Sequence, residues 1–256
     1  MTIFANYARY YDLLYGDKDY AAEVQFVHRL IKTYLPAAQT LLELGCGTAK
    51  HAALLAAEGY QIDGVDFSEE MLLKAKTRIC EIPKNLASKL QVFHGDIRQI
   101  RLHKNFDVVL SLFHVISYQT KNEDLLATFA TVKEHLKPGG IFIFDIWYGP
   151  AVLSEPPEVR VKRLEDSEIY VTRIAEPKMY PNENLVDVNY QIFIQDKNSD
   201  AIKEVRETHQ MRYLFKPELE FLLNNMGLKI IDHMEWMSGK PLNFNTWGSV
   251  FIVKLF

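Results

Sequence analysis

Cysteine is nearly absent from this chain: Cys46 and Cys80 are the two that occur in 256 residues. That excludes a disulfide framework and a cysteine-based metal cluster, and it suits a reducing compartment. Long apolar runs are missing as well, none approaching the roughly 18 residues of a membrane-spanning helix. Residues 1–7 carry no basic stretch followed by an apolar core, so the expectation is a cytoplasmic protein with no membrane partner. Basic charge is not in excess either. A net charge of −4 with 48% hydrophobic residues describes an ordinary globule, and without a basic stripe or a base-stacking aromatic platform nucleic acid is not the expected partner. Tandem repeats and low-complexity tracts are absent too. A last absence is local. Gly45-Cys46-Gly47 is followed by Lys50 where a dinucleotide fingerprint needs its third glycine, which excludes the pyrophosphate cofactors that use that turn.

What is present begins at Leu41-Leu42-Glu43-Leu44-Gly45-Cys46-Gly47-Thr48, an apolar run ending in an acid and two glycines before a helix. Glycine permits positive φ and a close backbone approach to a ligand. The following helix, with Thr48 as its expected cap, offers unpaired N–H groups and a positive dipole end to an anion. From residue 40 to 145 strands and helices alternate, which predicts a parallel doubly wound sheet. Gln61-Ile62-Asp63-Gly64-Val65-Asp66 reads as the second strand, and Asp66 at its carboxyl end can accept both ribose hydroxyls of a nucleoside. Phe67 and Met71 would border the base. Leu90–Phe93 reads as the third strand, placing Asp96 to accept the base's amino group with Ile97 beneath the ring, because ligands of open α/β sheets gather at neighbouring carboxyl ends. Phe106–Phe113 reads as a central strand, apolar on both faces, and delivers His114 and Tyr118 to the pocket rim.

Upstream, residues 7 to 35 read as helical, with Tyr7, Tyr10, Tyr11, Leu14 and Tyr15 three or four apart, and a break at Gly16-Asp17-Lys18-Asp19. Downstream the texture changes. Between 150 and 213 apolar and polar residues alternate in runs separated by Pro156-Pro157, Pro177 and Asp196–Asp200, which predicts antiparallel strands with one wet face. That sheet can cover the substrate, form a homodimer contact, or do both. The doubly wound pattern then resumes in a helix opened by Pro217 and strands at 228–232 and 250–255, the last antiparallel. The division expected is therefore 1–149 with 214–256 as the main domain and 150–213 as an inserted antiparallel subdomain.

With Glu43-Leu44-Gly45-Cys46-Gly47-Thr48, Gly64-Val65-Asp66-Phe67-Ser68, Gly95-Asp96-Ile97 and Lys137-Pro138-Gly139-Gly140 in register, the chain resembles class I S-adenosylmethionine (SAM) dependent methyltransferases. The segment Tyr11–Glu23, the insertion and Tyr213-Leu214-Phe215 are similar to nucleotide-amino-sugar N,N-dimethyltransferases, which modify the amine of a dTDP-linked deoxy sugar. The resemblance implies an α/β, Rossmann-like fold and SAM as cofactor, held by Glu43, Gly45, Gly47, Asp66, Met71 and Asp96 together with Phe67, Ile97 and Leu112, with Tyr20 meeting its carboxylate. It implies no metal. Tyr15 matches an active-site tyrosine, and Tyr118 stands where relatives carry histidine or tyrosine. The chain departs from the pattern at His114-Val115, where relatives have small hydroxyl residues, and at Thr246-Trp247, where an arginine is expected. Tyr15, Tyr118 and His114 are the candidates to take or relay a proton from an amine acceptor. The activity implied is N-methylation of a nucleotide-linked amino sugar. Methylation of another small metabolite on oxygen or nitrogen, or SAM binding without transfer, would share the same cofactor motifs.

Overall fold

The computed structural model describes residues 13–256; the tyrosines expected on a helical face at Tyr7, Tyr10 and Tyr11 lie outside them. Helix α1 (Tyr20–Tyr34) starts where the Asp19 carboxylate accepts the Ala22 N–H at 2.9 Å, and it buries Val24, Val27, Leu30 and Ile31 along one stripe. Then come β1 (Thr40–Leu44), α2 (Lys50–Ala57), β2 (Gln61–Asp66), α3 (Glu69–Glu81), a short α4 (Lys84–Ala87), β3 (Leu90–His94) and β4 (Phe106–Ser111). A 3-10 turn at Val115–Tyr118, α5 (Asn122–His135) and β5 (Leu136–Tyr148) complete the first half.

The sheet runs β3-β2-β1-β4-β5, all parallel. Near the C-terminus α7 (Lys216–Asn224), β10 (Leu228–Glu235) and β11 (Gly248–Leu255) extend it, with β11 antiparallel to β5 and β10 antiparallel to β11. Order reverses between β1 and β4, and a crevice at such a switch point is where open α/β sheets bind ligands. Both faces are covered, so alternate residues of one strand enter different cores. Leu41 and Val108 pack with Val27 and Leu55 on one side, while Leu42, Val109, Phe142 and Phe144 pack with Phe129, Leu219 and Phe251 on the other. At about 1.5–3 kcal/mol for each large apolar side chain fully buried, these layers stabilise the floor on which the loops stand.

Between β5 and α7 lie α6 (Gly149–Ser154) and the meander β6 (Arg160–Glu165), β7 (Ile169–Tyr180), β8 (Leu185–Asp196) and β9 (Ile202–Leu214). Strand β5 continues past the end of β4, and its last residues pair on one edge with β9 (Trp147 with Tyr213, Tyr148 with Leu214) while Trp147 pairs on the other with Gly248 of β11. The insertion is therefore hydrogen-bonded into the main sheet. Its inner face presents Val171, Ile192, Ile194 and Val205 to Leu14 and to Met71 of α3, so it folds over the carboxyl ends of the parallel strands.

Three local expectations change. Thr48 does not cap α2: Ala49 takes the cap position in left-handed conformation with no side-chain bond, because its N–H closes a turn onto the Cys46 carbonyl at 2.9 Å. Pro177 does not separate strands but sits inside β7. Pairing with β6 ends at Ala175, so the edge that a proline N–H would serve is open there. And α6 occupies a stretch where no helix was expected, its start set by Pro150 in the first turn.

Candidate active site

The glycine loop is tied to the end of β2. The N–H groups of Gly45 and Cys46 donate to the Val65 carbonyl at 2.8 and 3.0 Å, and the Gly47 N–H donates to Asp66 Oδ2 at 2.7 Å. Asp66 Oδ1 accepts the Ser68 N–H at 2.9 Å, and the Ser68 hydroxyl caps α3 by accepting from Met71. Gly45 has φ +79°, and a Cβ there would stand 2.6 Å from both methyls of Val115. Gly47, at φ +54°, has nothing within 4 Å of where a Cβ would go. The loop thus leaves an open cradle beside a fixed carboxylate. Burial raises the Asp66 pKa above its ordinary value, against the backbone N–H groups that hold its charged form.

Glu43, near the end of β1, is 1% exposed, and its Oε2 has no hydrogen-bond partner among the described residues. Burial, and then the Asp66 charge, push its pKa up to about 8, against a smaller pull from Lys18. The other oxygen lies 3.7 Å from His51 Nδ1, and His51 Nε2 is 2.8 Å from Glu23, which also pairs with Lys18 at 2.6 Å. Burial would raise Glu23, but the His51 hydrogen bond and the Lys18 charge hold it below the usual carboxylate range. The Lys18 ammonium stands 4.6 Å from the Tyr20 ring centroid, and that of Lys50 stands 4.8 Å from it. One corner is thus cationic around Tyr20, and close by lies a buried carboxylate lacking a donor. The amino-acid end of the expected cofactor carries a carboxylate and an ammonium, so these residues fit it.

An acid whose folded pKa lies above its unfolded value binds more protons folded than unfolded. Between the ordinary glutamate value of 4.5 and about 8, Glu43 therefore makes the ligand-free protein less stable as pH rises, with the full penalty present above about 8. Glu43→Gln removes that titration. The variant is expected to gain on the order of 2 kcal/mol over the parent at pH 8.5 and much less at pH 5, read as a widening Tm difference of roughly 5 °C. Equal Tm differences at the two pH values would contradict the assignment.

Asp96 follows β3 and is gripped by Arg98, which donates from its backbone N–H at 2.9 Å and forks across both carboxylate oxygens while also reaching Asp124 at 2.8 Å. The Arg98 hydrogen bonds outweigh partial burial and hold Asp96 below its ordinary pKa. Ile97, the next residue, and Leu112, just past β4, are buried, and Phe67 is 54% exposed, a ring edge available to a flat ligand. Glu43, Gly45, Gly47, Asp66, Phe67, Asp96, Ile97 and Leu112 thus all fall at or just beyond the carboxyl ends of β1 to β4, while Met71 joins the cluster beneath the insertion.

On the far side of the crevice, Phe113 and His114 take φ +68° and +61° in succession, a turn costly for non-glycine residues. Asp145, 1% exposed and three residues before the end of β5, accepts the His114 N–H at 3.2 Å and lies 2.8 Å from its Nδ1. Tyr15 meets Phe113 edge-on at 5.1 Å, and Arg173 of β7 donates to the Tyr15 hydroxyl at 3.4 Å. Tyr118 Oη is 2.7 Å from His209 Nδ1 on β9. Trp247 packs against Trp147 at 5.7 Å. Sequence reasoning brought Tyr15, His114 and Tyr118 to this rim but missed Lys18, Lys50, His51, Asp145, Arg173 and His209. An acid ending the apolar strand at Asp145 was a usable signal; the others depend on contacts across distant segments. Among the described residues no group of three or more His, Cys, Asp or Glu could hold a metal ion, and no helix is long and apolar enough to cross a membrane.

Residues 41–140 match a family model described as a methyltransferase domain. Over 92% of this chain and 94% of the relative, the sequence is 27% identical to a dTDP-3-amino-3,4,6-trideoxy-alpha-D-glucopyranose N,N-dimethyltransferase of Streptomyces venezuelae. Among solved structures, Streptomyces venezuelae DesVI superposes with a TM-score of 0.81 at 25% identity, covering 98% of each chain. An S-adenosylmethionine-dependent methyltransferase from Clostridium acetobutylicum superposes with a TM-score of 0.80 at 26% identity, covering 96% of each. The similarity runs through the insertion as well as the parallel sheet.

Proposed function

We propose, for a chain that is itself a SAM-dependent methyltransferase of the Rossmann-like class, that the acceptor is the amine of a nucleotide-linked amino sugar. The observation that carries this reading is the full-length similarity to an enzyme named for N,N-dimethylation of a dTDP-amino sugar, insertion included. The chamber agrees with it, since Tyr15, His114, Tyr118 and Arg173 give the crevice a hydrogen-bonding wall beneath the inserted sheet. SAM supplies the methyl group. In this reading Asp66 takes the ribose hydroxyls, Asp96 and Phe67 with Ile97, Met71 and Leu112 hold the base, Gly45 and Gly47 let the backbone approach, Glu43 takes the ammonium, and Tyr20 with Lys18 and Lys50 takes the carboxylate. The remaining work of the chain is to align the acceptor nitrogen, a contribution that in well-oriented systems reaches roughly 7–11 kcal/mol.

The test is a panel assay with labelled SAM, dTDP- and UDP-amino sugars, their hydroxyl analogues, simple amines and bulk tRNA, read by mass spectrometry. The expected result is one or two added CH2 units on an amino sugar and none on its hydroxyl analogue. Gain on the hydroxyl analogue, on a simple amine alone or on tRNA would replace the reading, and no gain anywhere with SAM bound would favour a binding module. Sedimentation of the purified chain tests the homodimer expected through the exposed face of the insertion.

A further inference from the structure

The inward stripe of β9 runs Val205, Glu207, His209, Met211. Val205 and Met211 are apolar and buried, as a face turned to the core requires, yet the middle positions carry a carboxylate and an imidazole that are 8% and 4% exposed at the side chain. Polar groups in such a place cost free energy unless they are paired. Here they are paired in line. His209 Nε2 lies 3.3 Å from Glu207 Oε2, and His209 Nδ1 lies 2.7 Å from Tyr118 Oη. Tyr190 of β8 closes the imidazole edge-on at 5.0 Å, with the Arg173 guanidinium 4.9 Å from the Tyr190 ring and Tyr15 next to Arg173. Beyond, Glu207 borders a cavity of about 280 Å³ lined also by Arg206, Gln191 and Thr208.

We propose that Tyr118, His209 and Glu207 form a proton relay that removes the proton of the acceptor ammonium through the inserted sheet. The proposal rests on the amine reading above. The ammonium passes a proton to Tyr118 Oη as that hydroxyl passes its own to His209 Nδ1. His209 in turn releases its Nε2 proton to the Glu207 carboxylate. One proton enters and one leaves each middle group, the acceptor becomes a neutral amine with a free lone pair, and the negative charge on Glu207 is neutralised. Burial and the neighbouring charges, chiefly Tyr15, Tyr190 and Glu207, hold Tyr118 well above the ordinary tyrosine pKa, so the hydroxyl passes protons without resting as phenolate. Tyr118 is the group that touches the acceptor; His209 and Glu207 are positioning residues acting through it. Proton transfer by a placed side chain contributes about 10²-fold or more to such reactions.

The relay requires one tautomer. With Glu207 accepting from Nε2–H, His209 Nδ1 must be bare to receive from Tyr118. Two-bond 15N–1H correlation spectra of histidine-labelled protein, assigned with His209→Gln, are expected to show Nε2–H and unprotonated Nδ1. Kinetics with a dTDP-amino sugar supply the second readout. Tyr118→Phe and His209→Gln are each expected to lower kcat about a hundredfold at neutral pH with SAM affinity kept, and the loss is expected to shrink as pH rises and the free amine predominates. The double variant should lose no more than either single, because the residues act as one unit. An Nδ1–H tautomer, or losses that multiply and ignore pH, overturns the relay while leaving the amine reading intact. Failure of every amine in the panel overturns both.

Discussion

Asp66→Ala is expected to weaken SAM binding by at least about a hundredfold and to remove methyl transfer with it. Each hydrogen bond to a charged group is worth roughly 1.5–3 kcal/mol, and loss of two ribose contacts amounts to a change in Kd of about 10²- to 10⁴-fold. The substitution also frees the N–H groups of Gly47 and Ser68, which Asp66 holds at 2.7 and 2.9 Å. The loop then loses its tether and the helix α3 its neighbour at the cap. Asp66→Asn keeps an acceptor oxygen and is expected to lose less. Calorimetric titration of SAM into each variant decides the matter, and an alanine variant within about threefold of the parent Kd would remove Asp66 from the site, since threefold is below 1 kcal/mol. Tyr118→Phe gives the contrast: turnover falls while the calorimetric Kd stays, and equal loss of affinity in both would dissolve the division between cofactor side and acceptor side.

Gly45→Val has the other large expected effect. The new Cβ would stand 2.6 Å from both methyls of Val115, in a backbone with φ +79°. Left-handed conformation costs a non-glycine residue roughly 1–2 kcal/mol, and overpacking adds about 1–3 kcal/mol. The sum predicts a Tm lower by roughly 5–15 °C, with SAM binding lost because the loop must leave the Val65 carbonyl. Strain and clash separate in a second pair of variants. Gly45→Ala combined with Val115→Ala removes the two 2.6 Å methyl contacts, leaves a tight 3.1 Å contact with the residue 115 Cβ and keeps the strain, so it should recover part of the Tm. Gly47→Ala, with open space around its Cβ, should cost only the conformational part. A double variant no better than Gly45→Ala alone would show that the contact with Val115 is not what excludes a side chain.

The arrangement proposed to hold the cofactor was legible in the sequence because its determinants are local. An acid and two glycines after an apolar run, and an acid ending the next such run, keep their meaning wherever the strands pair, since parallel neighbours must present the same end. The acceptor side is built otherwise. His209 reads as one inward position of an alternating strand, and the chemistry proposed for it needs Tyr118, 91 residues earlier in the chain. Lys18 and Lys50, 32 positions apart, likewise meet only by approaching one ring, 4.6 and 4.8 Å from the Tyr20 centroid. Thr48 misled for a physical reason: a good capping residue was outcompeted by a backbone turn that set the helix off one residue later. Pro177 misled because whether a proline breaks a strand depends on which edge is already paired.

The double pairing of the last residues of β5 has a mechanical meaning. Paired on both edges at Trp147, the strand ties the covering sheet into the main sheet through shared backbone hydrogen bonds. Lifting the insertion away from the carboxyl ends of the parallel strands would therefore break the Trp147–Tyr213 and Tyr148–Leu214 backbone pairs and not side-chain contacts alone.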